Sequence, residues 1–134
     1  MILVDTTVWI DYFNGVQTWQ VDALDSFLSD ELVLIGDIIL AEILQGFDEN
    51  SDYKRAKEAL EPLECMTLGG KKLAIKTASN FRYLRSKGVT IRKTVDMLIG
   101  TWCIESVVEL LHNDKDFDQI ARHLPLKVIQ HDST

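Results

Sequence analysis

Short apolar runs alternating with helically spaced segments predict an α/β fold, a parallel sheet covered by helices on both faces. Three observations carry this. Residues 2–4, 32–35 and 107–111 are compact apolar runs of strand length, and 126–129 makes a fourth. The stretches between them show the three-and-four spacing of one-sided helices. Glycines stand where elements should break, at Gly36, Gly46 and Gly88. Taken in order, the run 2–4 opens the chain, and Trp9, Ile10 and Phe13 share one helical face. Val21, Leu24, Phe27 and Leu28 share another. After the run 32–35, helices are expected over 38–45 and 53–60, with a weaker strand at 65–67. Helices over 71–86 and 95–105 precede the run 107–111, and 126–129 closes the series.

The chain has 134 residues, of which 46% are hydrophobic and 26% charged, a composition that supplies one core and excludes a disordered polymer. With only Pro62 and Pro125 as prolines, no low-complexity stretch and no repeat, residues 1–134 read as a single domain. No apolar run approaches the roughly 18–20 residues of a membrane span. The opening Met1-Ile2-Leu3-Val4 meets Asp5 without a basic leader, so no export signal is expected. Cys65 and Cys103 lie far apart and outside any C-x-x-C pair, which fits reduced thiols in a cytoplasm.

The net charge of −7 argues against a nucleic-acid partner until its distribution is considered. Between Cys65 and Val95 there is no Asp or Glu, yet Lys71, Lys72, Lys76, Arg82, Arg85, Lys87, Arg92 and Lys93 fall there. An acidic body with one basic stretch suits a polyanion held beside a carboxylate-rich site, although a solvated helix face has the same composition.

Because ligand crevices of parallel sheets lie at the carboxyl ends of strands, the acids there matter most. Asp5 follows the first strand directly, where it could equally cap a helix. Glu42, in Ile38-Ile39-Leu40-Ala41-Glu42, projects from an apolar helical face and must be paired, ion-bound or protonated there. Asp96 opens an apolar helix, where the helix dipole or a pairing with Lys93 or Arg92 would also suit it. In His112-Asn113-Asp114-Lys115-Asp116-Phe117-Asp118 three acids alternate after a strand. An EF-hand loop beginning at Asp114 would need Gly and Glu where this chain has Gln119 and Pro125, so that reading fails.

Other chemistries are excluded in the same way. A haloacid-dehalogenase-type phosphatase needs a second Asp where Thr7 stands. Around Thr67 and His131 the phosphoacceptor Asp and the Lys of a receiver domain are both missing. There is no phosphate-binding Gly-Lys loop and no G-x-S-x-G elbow, and His112, His123 and His131 lack ligand spacing. Clustered carboxylates suit hard cations such as Mg²⁺ or Mn²⁺, which polarise phosphate oxygens and acidify water. A metal-dependent phosphodiesterase follows.

Four segments, in order and spacing, carry a resemblance. They are Leu3-Val4-Asp5-Thr6-Thr7-Val8-Trp9-Ile10-Asp11, Ala41-Glu42-Ile43-Leu44-Gln45-Gly46, Lys93-Thr94-Val95-Asp96-Met97-Leu98-Ile99 and Leu110-Leu111-His112-Asn113-Asp114-Lys115-Asp116-Phe117. Together they resemble PIN-domain ribonucleases, specifically VapC-type toxins of toxin–antitoxin systems, from nearly the first residue to about Ala121. The resemblance implies a five-stranded parallel sheet sandwiched by helices. It places Asp5, Glu42, Asp96 and Asp114 on an acidic quartet and Asp116 on an associated fifth acid. A conserved hydroxyl of the family maps to Thr6 or Thr7, of which Thr7 is favoured as inward-facing, and Asp118 is read as a structural cap.

The activity implied is Mg²⁺- or Mn²⁺-dependent endonucleolytic cleavage of RNA, with tRNA or ribosomal RNA loops as plausible targets. Asp5, Asp96 and Asp114 would hold metal, while Glu42 and Asp116 complete the site or orient water. Lys71, Lys72, Arg82, Arg85, Arg92 and Lys93 would contact substrate phosphates. Also implied are a homodimer and a small VapB-like antitoxin whose tail covers the toxin. The aromatic group Trp9, Phe13 and Trp19 could line a groove for such a tail, or simply pack in the core. Two other readings keep the same acids: a non-catalytic module holding a cation or a partner's Arg, and a PIN nuclease of RNA maturation or of DNA.

Overall fold

Leu3 and Val4 of β1 (Ile2–Val4) are completely buried, and this strand organises the sheet. Each fully buried side chain of this kind contributes about 1.5–3 kcal/mol. The structure, a computed structural model, describes residues 1–131. Asp5 ends β1 and caps α1 (Thr6–Phe13), and Thr18 caps α2 (Trp19–Ser29) by accepting from the Val21 N–H at 3.1 Å. β2 (Val33–Gly36) runs directly into α3 (Asp37–Gln45), followed by α4 (Asn50–Leu60) and β3 (Glu64–Met66). Then come α5 (Lys71–Ser86), α6 (Thr94–Ser106), β4 (Glu109–Leu111) and α7 (Lys115–His123).

The four strands pair in parallel in the order β3-β2-β1-β4. The chain therefore leaves β1 toward β2 on one side and returns to its other side as β4. That reversal places a crevice at the carboxyl ends of β1 and β4. Gly36, ending β2, leaves space for Leu68, whose Cδ1 lies 2.5 Å from where a β-carbon would stand. A side chain at residue 36 would require the Leu68 side chain to shift.

The expected fifth strand is corrected. Residues 126–129 make a single parallel bridge, Leu110 to Val128, held by Leu110 N–H to Lys127 carbonyl and Ile129 N–H to Leu110 carbonyl, both 2.9 Å. β4 is too short to carry a longer ladder, and Pro125 has no N–H to extend the pairing upstream. A helix at α7 was not anticipated, although Phe117 and Ile120 are fully buried on its inner face.

α6 is buried on nearly every side, with Met97 and Ile99 at 0% exposure, as befits a helix apolar all round. It packs on α5 in antiparallel fashion. Asn80 donates to the Thr101 hydroxyl at 3.1 Å, and Lys76 pairs with Glu105 at 3.9 Å. The aromatic residues Trp9, Phe13 and Trp19 divide between two places. Trp9 is a core residue stacked on Phe13 at 5.9 Å, whereas Trp19 begins α2 and stacks on His131. Among the described residues, no helix is long and apolar enough to cross a membrane.

Candidate active site

Backbone pairing first brings the two flanks of the crevice together, the Asp5 N–H donating to the Leu111 carbonyl at 2.9 Å. Asp5 is 3% exposed, and its Oδ2 accepts from the Thr7 hydroxyl at 2.7 Å and from the Thr7 N–H at 3.3 Å. The same hydroxyl oxygen accepts from the Asn113 N–H at 3.2 Å, tying the loop after β4 to α1. Thr6 is also used: its hydroxyl donates to Glu42 Oε1 at 2.8 Å. Glu42 on α3 is thus tied to the start of α1 by a hydroxyl.

Asp114 caps α7, its Oδ1 accepting from the Asp116 N–H at 2.9 Å. His112, buried beside Phe117, accepts the Asp114 N–H on Nδ1 at 3.1 Å and faces Asp118 Oδ1 through Nε2 at 3.4 Å. That geometry assigns the proton of a neutral ring to Nε2. Burial pulls the His112 pKa down, against the opposing fields of Asp118, Asp5 and Asp114. Asp118 lies in the first turn of α7 and holds His112 from there.

Asp96, Asp114 and Asp116 each present an oxygen within 4.8 Å of the others. This triple includes Asp116, which the expected set of ion ligands omitted, and leaves out Asp5. Asp5 and Glu42 still act on it, because both raise the pKa of Asp96. Burial is the largest cause of that rise, the charges of Asp5 and Asp114 come next, and together with Glu42 they push Asp96 up to about 6 against the opposing Lys93. Burial likewise raises Asp5, opposed by its bonds from Thr7. Among the described residues, Asp96 Oδ2 is fully buried without a hydrogen-bond partner. An orphaned carboxylate oxygen among other hard oxygen donors is the donor set a divalent cation takes.

The basic residues divide. Arg92 reaches Asp116 Oδ2 at 3.4 Å, and Lys93 precedes the first turn of α6. Neither forms an ion pair with Asp96 among the described residues. Arg82 and Arg85 are exposed on the half of α5 level with the start of α6, Arg85 lying over the Phe81 ring at 5.6 Å. Lys71 and Lys72 begin α5 beside the other end of α6, where Lys72, Lys76 and Glu105 border one hollow. Along α6 that end is about 13 Å from Asp96.

A fold with its acids gathered at the β1–β4 crevice defines a class of small α/β domain. The PIN-domain family matches residues 2–123, and the chain belongs to that family. Ribonuclease VapC11 of Mycobacterium tuberculosis is 29% identical over 124 residues, 91% of this chain and 92% of that protein. Among solved structures, VapBC2 of Rickettsia felis, bound to a DNA fragment from its promoter, superimposes with a TM-score of 0.76 at 20% identity. That match covers 98% of this chain and all (100%) of the other. VapC20 of M. tuberculosis, a sarcin–ricin loop cleaving toxin, gives a TM-score of 0.65 at 14% identity, covering 92% of this chain and 96% of that one. At these identities the structural matches speak to the fold.

Proposed function

We propose that the chain is the toxin of a VapBC-type toxin–antitoxin pair, a Mg²⁺- or Mn²⁺-dependent endoribonuclease. One observation carries the reading: within a PIN domain, the buried and unpartnered Oδ2 of Asp96 stands in a triple of acids closed by Asp114 and Asp116. The ribonuclease and toxin names of the relatives support it. So do the antitoxin complexes among the structural neighbours. Residues 1–134 act as one domain in this reading, and of these 132–134 lie outside the described residues.

Asp96, Asp114 and Asp116 hold the ion, with Asp5 as a further ligand or as the charge that steers it in. When bound, the ion neutralises charge on the phosphate and acidifies a water. Glu42, fixed by Thr6, would orient the attacking water, and Thr7 locks Asp5 and the Asn113 backbone in register. Arg92 and Lys93 contact the phosphates beside the cleaved bond, Arg82 and Arg85 those further along, and Lys71 and Lys72 the most distant. Arg92 leaves Asp116 when substrate enters. A VapB-like antitoxin covers the pocket, two copies of the toxin associate, and the pair works in the cytoplasm.

Purified, antitoxin-free protein incubated with total RNA tests this. Cleavage is expected with Mg²⁺ or Mn²⁺, none with EDTA, and a loss of about a hundredfold or more in Asp5→Ala. Intact RNA at every metal concentration, or equal cleavage by Asp5→Ala, overturns the reading.

A further inference from the structure

A pocket of about 360 Å³ opens beside Asp114, between the start of α2 and residues 128–130, and includes Trp19, Gln20, His112, Asn113, Asp118 and Gln130 in its wall. We propose that it is a subsite for one unpaired nucleobase of the RNA, next to the cleaved phosphate, with Trp19 as its stacking platform. The inference rests on the ribonuclease reading and adds a determinant of where the enzyme cuts.

Position is the first argument. Asn113 and Asp114 belong both to the pocket wall and to the acidic site, and the Asn113 N–H is bonded to Thr7 in that site. A base seated here therefore lies within one nucleotide of the acids. The second argument is the platform. The indole of Trp19 lies parallel to the imidazole of His131, 7° between planes and 4.9 Å between centroids. His131 is exposed, and its stacked ring shows that the indole accepts a planar partner. Unpaired bases in RNA are commonly held on such aromatic faces.

The third argument is the polar lining. Gln20, only 8% exposed, is part of the pocket wall. An amide offers both donor and acceptor, which a base edge matches and a bare phosphate does not. Gln130 adds a second amide, and Asp118, held by His112, adds an acceptor for exocyclic amino groups. Lys115, on the same wall, supplies a cation for the flanking phosphate.

The test compares wild type with Trp19→Ala, Trp19→Phe and Gln130→Ala. Binding of fluorescein-labelled rA, rC, rG and rU hexamers is measured by anisotropy in Mg²⁺, and cleavage positions are mapped in total RNA. Trp19→Ala is expected to weaken hexamer binding about tenfold and to blur the base preference at one position beside the cut. Trp19→Phe should stay within about threefold of wild type, because the platform survives. Gln130→Ala, a surface change that leaves the fold intact, should shift the base preference without touching Trp19. Mg²⁺ is expected to raise the melting temperature of wild type and of all three variants alike. A wild type that cuts RNA while Trp19→Ala and Gln130→Ala cut at the same positions with the same preference overturns the subsite alone. A wild type that cuts no RNA overturns the ribonuclease reading itself.

Discussion

Thr6 and Glu42 meet across 36 positions of sequence, hydroxyl to carboxylate, at 2.8 Å. The neighbouring Thr7 hydroxyl donates to Asp5 and accepts from the Asn113 N–H. Two consecutive hydroxyls at the start of α1 thus anchor two acids, Asp5 and Glu42, and the loop at Asn113, which makes this turn the frame of the site.

Removing either hydroxyl should therefore impair cleavage while sparing the fold. Groups that orient ion ligands usually cost about 10–100-fold when lost. Thr7→Val, which releases both Asp5 and the Asn113 N–H, is expected at the upper end and Thr6→Val at the lower. Thr7→Ser should restore most of the rate. Initial cleavage rates at saturating Mn²⁺ decide the order.

Asp96 couples the site to stability. Its pKa is raised from the ordinary 3.8 to about 6, so the folded state holds this proton more tightly than the unfolded chain does. Ionisation then opposes folding: the penalty is absent below about pH 4, grows as the pH climbs to about 6 and is fully present above that. At 1.36 kcal/mol per unit it amounts to roughly 2–3 kcal/mol. Metal-free Asp96→Asn should accordingly be more stable than wild type at about pH 7.5, by up to that amount, with the gap closing toward about pH 4. Urea midpoints across the range, in EDTA, measure it.

How far the sequence revealed this arrangement varies by element. Asp5 and Asp114 were legible because each ends or follows an apolar strand run, and chain order alone puts such ends at one edge of a parallel sheet. Glu42 stood out as an acid on an apolar helical face. The partners of these acids were less visible: nothing local to Glu42 points to a hydroxyl 36 positions away. α7 was hidden by its alternating acids, although Phe117, Ile120, Ala121 and Leu124 have the spacing of a one-sided helix and could have revealed it. The run 126–129 looked like a strand because its apolar pattern is real, but ladder length depends on the neighbour, and β4 is short. The basic stretch is continuous in sequence, whereas the length of α5 separates Lys71 and Lys72 from Arg82 and Arg85 in space.

The α5–α6 contact contains a buried polar pair, Asn80 with Thr101, the latter at 0% exposure. Thr101→Val keeps the shape and strands the Asn80 amide, at a cost of about 1–3 kcal/mol. Thermal melts should fall by roughly 3–10 °C. Cleavage at 25 °C should change little, since neither residue reaches the acids.

The two thiols should differ in reactivity. Burial pushes the Cys103 thiol up to about 12, whereas Cys65 is exposed on the edge strand β3. A thiol reagent applied to native protein is expected to label Cys65 alone, and both residues after denaturation, as read by mass spectrometry.

The most direct measurement is a calorimetric titration of Mn²⁺ into the metal-free protein and into Asp96→Asn and Asp114→Asn at neutral pH. Saturable binding by the wild type, lost in both folded variants, is the expected result. A wild type that takes up no Mn²⁺, or variants that bind it as tightly as the wild type, would contradict the assignment of these acids as the seat of the ion.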